Sequence, residues 1–208
     1  MSQAETKIKI IRAAEELFAV NGFHHTSLRS ITAKAGVNLA AVNYHFGSKE
    51  ALLEAVFDQH LLPLNEIRAG RMRGVAGQAA KNRRKPQLEE VLRSFIEPTL
   101  ALMLRDAETG HFRMLVGRSL TDPDETVRRL FLDKVNAVLQ QLFQLLCLAL
   151  PQSSPASVAW KTHFAMGAMG HILCLQGPAA FFGAVEEDKS VDEIMEMLIN
   201  FIVRGMEA

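Results

Sequence analysis

The sequence predicts an all-α protein with a small N-terminal three-helix head and a larger C-terminal helical body. Three observations carry that expectation. Apolar residues recur at helical spacing in almost every segment, and no run alternates with the two-residue period of a strand. Capping residues and glycines punctuate the chain at helix-length intervals. Pro123, Pro151, Pro155 and Pro178 fall at segment boundaries, where a missing N–H is tolerated.

The first helix carries Ile10, Ala13, Ala14, Leu17 and Phe18, spaced i, i+3, i+4, i+7 and i+8, and Asn21-Gly22 stops it. Thr26 or Ser27 caps the second, whose apolar face is Leu28, Ile31 and Ala35, and Gly36 ends it. Asn38 caps a third, from Leu39 to about Phe46. Gly47 closes it, and Ser48 opens a fourth that runs to about Arg71. The basic stretch "GVAGQAAKNRRKP" (74–86) reads as a solvated connection. Further helices are expected at 87–105, 110–120, 124–149, 155–176 and 190–206. The 124–149 helix has a wide apolar stripe of Phe131, Val135, Val138, Leu142 and Leu145 or Leu146. The domain division that follows is a head at 1–50 and a body at 51–208, connected by the 48–71 helix.

At 208 residues, 49% of them hydrophobic and 22% charged, the chain is long enough to bury a sizeable core. The formal net charge of zero hides a segregation of charge. Residues 67–88 hold Arg68, Arg71, Arg73, Lys81, Arg83, Arg84 and Lys85 and no acid, while Glu186, Glu187, Asp188, Asp192, Glu193 and Glu196 cluster near the end. The most apolar run, "LFQLLCLAL", is far shorter than the roughly 20 residues of a membrane span. Charges interrupt "MSQAETKIKIIRAAEE" throughout, unlike a signal peptide. A cytoplasmic protein without membrane attachment is expected. Cys147 and Cys174, in apolar surroundings, read as reduced buried thiols, with a redox switch as the alternative.

Function is most concentrated at residues 26–49. A helix, a short glycine-containing turn ("AGVN") and a second helix form the helix-turn-helix arrangement. Val37 and Val42 are expected to plug the helix crossing and Phe46 to pack back on the first helix. Leu39, Ala40, Asn43 and Tyr44 are left pointing outward. A short helix with small residues at its front fits a major groove about 12 Å wide. Thr26 and Ser27, at a helix start, suit a phosphate. Arg29 reaches a base edge or phosphate, Tyr44 and His45 offer donors, and Lys49 starts the fourth helix. His24 and His25 read as a solvated turn, since no cysteine or carboxylate stands at ligand spacing.

The stretch "TSLRSITAKAGVNLAAVNYHFGSKEALL" resembles the DNA-binding signature of the TetR family of bacterial transcriptional regulators, over about residues 8–56. The resemblance implies an all-helical fold and a homodimer on palindromic double-stranded operator DNA, with the last two long helices pairing with their copies in a four-helix bundle. It implies base-facing roles for Arg29, Leu39, Ala40 and Asn43, and phosphate-facing roles for Thr26, Ser27, Tyr44, His45 and Lys49. Asn43 departs from the tyrosine often found there. Asparagine can pair bidentately with adenine, so this position is expected to read sequence. "NLAAVNYHFGSK" together with "WKTHFAMGAM" is similar to a PsrA-like branch, whose members respond to long-chain fatty acids or their CoA esters.

A pocket for such an effector needs apolar walls and a few polar anchors. The candidates are Phe112, Arg113, Met114 and Arg118 in "GHFRMLVGR", and Trp160, His163, Phe164 and Met166 in the 155–176 helix. The leading expectation is a ligand-responsive repressor that needs no cofactor. The alternative is a helical lipid-binding or interaction module with a vestigial head. No nucleophile motif, metal constellation or phosphate loop points to an enzyme.

Overall fold

The computed structural model describes residues 2–105, 109–121, 125–174 and 189–208. Among these are nine α-helices and no strand: α1 Gln3–Asn21, α2 Leu28–Ala35, α3 Leu39–Phe46, α4 Lys49–Lys81, α5 Leu88–Arg105, α6 Gly110–Thr121, α7 Glu125–Ala149, α8 Pro155–Cys174 and α9 Val191–Glu207. None of the described helices is long and apolar enough to cross a membrane.

The caps follow from local chemistry. Ser2, Ser27 and Ser190 each accept from the amide of the third helical residue, and a side chain at that residue answers the cap's own N–H. Two orphan donors are thereby satisfied at the start of each of these helices.

The fourth helix is longer than expected. It continues through 74–81, so the basic stretch is mostly helical and not a solvated connection. Once a helix exists, each added residue contributes a hydrogen bond for little further entropy, and Ala76, Ala79 and Ala80 are the best formers. Ala79 is also buried. The actual stop is Arg83, at φ 50°, where the Arg84 N–H bonds back to the Ala79 carbonyl at 3.0 Å in a left-handed termination. Two prolines lie inside helices, Pro63 in α4 and Pro98 in α5.

The chain divides into two compact units. One unit is Met1–Pro63 with Glu108–Val135, and the other is Leu64–Ala107 with Asn136–Ala208. The head therefore folds together with the first part of α4, with α6 and with the start of α7. In this unit α1 packs on α2, α3 and α6. Its core is Ile10, Ala14 and Phe18 of α1, Ile31, Val42, the Leu52, Leu53 and Phe57 face of α4, and Phe112 and Leu115. Each large apolar side chain buried here contributes about 1.5–3 kcal/mol. Lys134 of α7 ties down α4 through Glu54 at 3.2 Å and Asp58 at 2.9 Å.

In the second unit α9 packs on α5 and α8, and α5 packs on α8. Arg93 pins α5 to α9, its Nη1 and Nη2 donating to the two oxygens of Glu196 at 2.6 and 2.7 Å. It also meets Glu89 at 2.8 Å and Glu97 at 3.1 Å. The predicted stripe of α7 is buried, Phe131 and Val135 in the first unit and Val138, Leu142, Leu145 and Leu146 in the second.

Candidate functional site

The helix-turn-helix is built by a few local devices. Ser27 starts α2 by accepting from the Ser30 N–H at 3.0 Å. Gly36 ends it at φ 66°, the left-handed region that glycine enters without strain. Asn38 starts α3 by accepting from the Ala41 N–H at 2.9 Å. Val42 is the buried plug at the crossing, while Val37 and Phe46 are half-buried. Leu39, Ala40, Asn43 and Tyr44 are exposed, as the spacing predicts, and fall on one face of α3. The Tyr44 ring meets that of half-buried His45 edge-on at 5.2 Å. Arg29 is exposed on α2, and Ser27 is exposed at its start.

Two of the expected phosphate ligands are engaged elsewhere. Thr26 is only 1% exposed. Its hydroxyl donates to the carbonyls of Gly22 at 2.8 Å and Leu17 at 3.1 Å, satisfying the end of α1. Lys49 donates from Nζ to the carbonyls of Phe23 at 3.0 Å and Thr26 at 3.2 Å, and its charge lies 4.3 Å from the centroid of the Phe23 ring. Both side chains fasten the α1–α2 turn.

The expected pocket residues fall in two groups. Phe112, Arg113, Met114 and Arg118 belong to the first unit, and Trp160, His163, Phe164 and Met166 to the second. Phe112 is fully buried, stacked on His60 with ring centroids 4.1 Å apart. Arg113 is half-buried and Met114 exposed. The Arg118 guanidinium lies against the Gly22 turn, 3.0 Å from where a Cβ would stand. On α8 the exposed face carries Trp160 and Phe164, at 63% and 65% exposure, together with His163. The opposite face, Val158, Ala165, Met169 and Leu173, is buried, and Met166 lies between the two. Two open depressions occur in the second unit. One of about 450 Å³ is lined by Gln87, Glu89, Glu90, Arg93 and Glu207 among others. The other, of about 200 Å³, runs between α8 and α9 past Lys161, Phe164, Phe201 and Gly205. Of the eight expected pocket residues, only Phe164 lines either one.

Two buried polar groups escaped the sequence reading. Glu15 of α1 is buried and meets His60 of α4 at 2.8 Å, linking the head to the connecting helix. Arg68 is 4% exposed. The sequence placed it at the start of a charged run. The signal was its spacing, since Leu64, Arg68 and Met72 recur every fourth residue along one buried stripe.

Comparison with known proteins agrees with this architecture. Residues 10–56 match the model of the bacterial regulatory proteins of the tetR family, and residues 93–205 match the tetracyclin repressor-like C-terminal domain. The head is 39% identical over 54 residues to the HTH-type transcriptional regulator UidR of Escherichia coli, a stretch that is 26% of this chain and 28% of that relative. It is 44% identical over 54 residues to the HTH-type transcriptional repressor Rv3405c of Mycobacterium tuberculosis, covering 26% of this chain and 29% of that one. The chain thus spans little more than a quarter of these relatives. Over the whole fold it is similar to the transcriptional regulator FadR of Bacillus subtilis in complex with stearoyl-CoA, with a TM-score of 0.70 and 17% identity, covering 95% of this chain and 98% of that one. It is also similar to NalD, the secondary repressor of the MexAB-OprM multidrug efflux pump in Pseudomonas aeruginosa, with a TM-score of 0.65 and 23% identity, covering 98% of each chain. The family model of the C-terminal domain covers more than half of the chain, and with the head model before it the assignment is plain: this chain belongs to the TetR family of bacterial regulatory proteins.

Proposed function

We propose that the protein is a cytoplasmic, DNA-binding transcriptional repressor that acts as a homodimer on a palindromic operator and answers to a small apolar effector, a fatty acid or its CoA ester. The observation that carries the DNA-binding reading is the exposed face of α3. Leu39, Ala40, Asn43 and Tyr44 stand out from a helix fixed by its Asn38 cap, its Gly36 turn and its Val42 plug. Small side chains at the front allow the backbone to approach base edges, and Asn43 has the amide geometry to pair with adenine. Arg29 and Ser27 supply contacts that fix position on the backbone.

The outer faces of α8 and α9 support the dimer. Trp160 and Phe164 are exposed on one, and Met197 and Phe201, at 57% and 70%, on the other. Of these, Phe164 and Phe201 line the shallow depression that reaches Gly205. A two-fold pairing of this face with itself buries them in a bundle of four helices and sets two recognition helices about one DNA turn apart, or a multiple of it. The effector reading draws on the stearoyl-CoA bound by the Bacillus subtilis neighbour. Because α4 contributes to both units, an effector in the body that prefers one position of α4 biases the spacing of the heads.

Selection of bound DNA from a random library, followed by gel shifts of the winning sequence across a salt series, tests the proposal. A palindromic winner with log affinity falling steeply against log salt is expected, and fatty acid or acyl-CoA should release it. Affinity independent of both sequence and salt refutes it. Phe201→Glu should dissociate the dimer in sedimentation; an unchanged dimer moves the interface elsewhere.

A further inference from the structure

Arg68 is a buried cation held only by neutral partners. Nε and Nη2 donate to Thr99 Oγ1 at 3.1 and 2.6 Å, and Nη1 donates to Asn65 Oδ1 at 2.9 Å. The guanidinium carbon stands 4.2 Å from the centroid of the Phe95 ring. The Thr99 hydroxyl spends its own proton on the Phe95 carbonyl at 2.7 Å, so its lone pairs are left for Arg68. Among the described residues no carboxylate reaches the group, although one is close by on the same pair of helices: Glu97 of α5 bonds to half-exposed Arg71 at 2.9 Å. An exposed arginine is paired while the buried one beside it is not.

That distribution is the reverse of what stability alone favours. A buried charge is costly unless an opposite charge compensates it. Desolvation pushes the Arg68 guanidinium down to about 9, still cationic at neutral pH. Of its five N–H groups, Thr99 and Asn65 engage three. Thr99 occupies the side shared by Nε and Nη2. What remains is one proton on each of Nη1 and Nη2, two donors that a carboxylate can take. The flanks are apolar, with Leu64 and Met72 on α4 and Ile96 and Leu100 on α5. Each helix also lacks one backbone hydrogen bond nearby, because Pro63 precedes Arg68 by five residues and Pro98 adjoins Thr99.

We infer that Arg68 is the receptor for the acid group of the effector, an apolar molecule that ends in a free carboxylate. The inference rests on the effector reading proposed above and narrows it. A free acid carries its charge at the end of the chain, where Arg68 can take it. An ester has no such charge, and a CoA thioester keeps its charges on a distant headgroup.

The full-length protein, Arg68→Met and Arg68→Lys are titrated calorimetrically with decanoate, methyl decanoate and decanoyl-CoA. The parent should bind decanoate at least tenfold more tightly than the other two, and decanoate should raise its melting temperature. Arg68→Met should bind all three alike and, without ligand, melt no lower than the parent. Arg68→Lys keeps the charge without the guanidinium and should retain part of the preference for the acid. If Arg68→Met fails to melt cooperatively, the lysine variant decides. The inference is overturned if a folded Arg68→Met binds decanoate as the parent does, if Arg68→Lys shows no preference for the acid, or if the parent does not discriminate the acid from its ester. Salt-dependent binding of the selected operator by unliganded Arg68→Met separates the two proposals. Its persistence leaves the regulator reading standing whatever the ligand result, while its absence in the parent removes that reading and leaves the acid preference measurable.

Discussion

Lys49 separates two accounts of the head. As a phosphate ligand it contributes to DNA affinity and little to stability; as a clamp it does the opposite. Lys49→Met keeps most of the aliphatic stem and deletes the charge. The geometry sets the magnitude. Two charge-assisted hydrogen bonds, at 3.0 and 3.2 Å, are lost. Each is worth about 1.5–3 kcal/mol when buried, and the lower end applies to a half-buried side chain. The contact with the Phe23 ring adds about 0.5–1 kcal/mol. Freeing a long side chain returns up to about 2 kcal/mol of rotamer entropy. The net expectation is a loss of about 2 kcal/mol, measured by urea unfolding at fixed protomer concentration, since the proposed dimerisation would couple stability to concentration. The slope of log affinity against log salt should change by much less than the roughly 0.9 per phosphate contact of B-DNA. The reasoning is refuted if unfolding shifts by less than about 0.5 kcal/mol while that slope falls by about 0.9, because the ammonium would then be facing a phosphate.

Three further outcomes follow from the same geometry. Asn43→Ala should relax preference at one base step of the selected operator with little change elsewhere; uniform weakening across all sequences would mean that Asn43 grips backbone. His60→Leu removes the partner of buried Glu15 and should cost about 3–5 kcal/mol, and pairing it with Glu15→Leu should recover much of that loss. Strict additivity in the double-mutant cycle would show that the 2.8 Å contact carries no coupling. The hydrogen bond from Arg93 holds the Glu196 carboxyl below its ordinary 4.5. A depressed acid stabilises the fold above its unfolded value and loses that contribution as pH falls through the folded one. The protection factors of the α9 amides, corrected for intrinsic exchange at each pH, should therefore hold between pH 7 and pH 5 and fall below about 4.5 in the parent more than in Arg93→Met. Equal acid sensitivity of the two proteins would dismiss the pair as a fastener of α9.

The parts of this fold legible in the sequence are those with short-range causes. Asn38, Ser27 and Gly36 act within four residues of themselves, so the head could be drawn helix by helix. The α7 stripe was legible because one face of that helix is apolar and the other is not. α8 shows the limit of the same reasoning. Apolar residues surround it, so periodicity groups Trp160 with Phe164 without deciding which face turns inward. The structure buries the Val158, Ala165 and Met169 side instead. The misplaced phosphate ligands have a different cause. Lys49 bonds to residues 26 and 23 positions away, and Thr26 reaches back nine residues to Leu17. Competition between a carbonyl and a phosphate for one ammonium is not written in any local window. Arg68 was hidden by composition. A run of seven cations without an acid reads as solvated, yet one of them sits in register with Leu64 and Met72 and is carried inside.

The placement of fixed charges along α4 bears on how an effector could be felt by the head. In the first unit the helix is held at three levels: Lys49 on the α1–α2 turn, Glu54 and Asp58 on Lys134, and His60 on Glu15. These anchors are ionic or charge-assisted, and each joins α4 to a different part of that unit. The last of them stands three residues before Pro63, at which the first compact unit ends. Five residues beyond it comes Arg68, whose partners among the described residues are all neutral. A helix fastened this way has one end whose energy is already satisfied and another whose energy an anion can lower. Under the proposed role of Arg68, binding free energy released there would bear on the second half of α4, while the first half is held within its own unit by these anchors. An effector that neutralised a residue already paired, such as Arg93, would have no comparable energy to deliver. On that proposal the receptive part of α4 is the part in the second unit, where Arg68 lies.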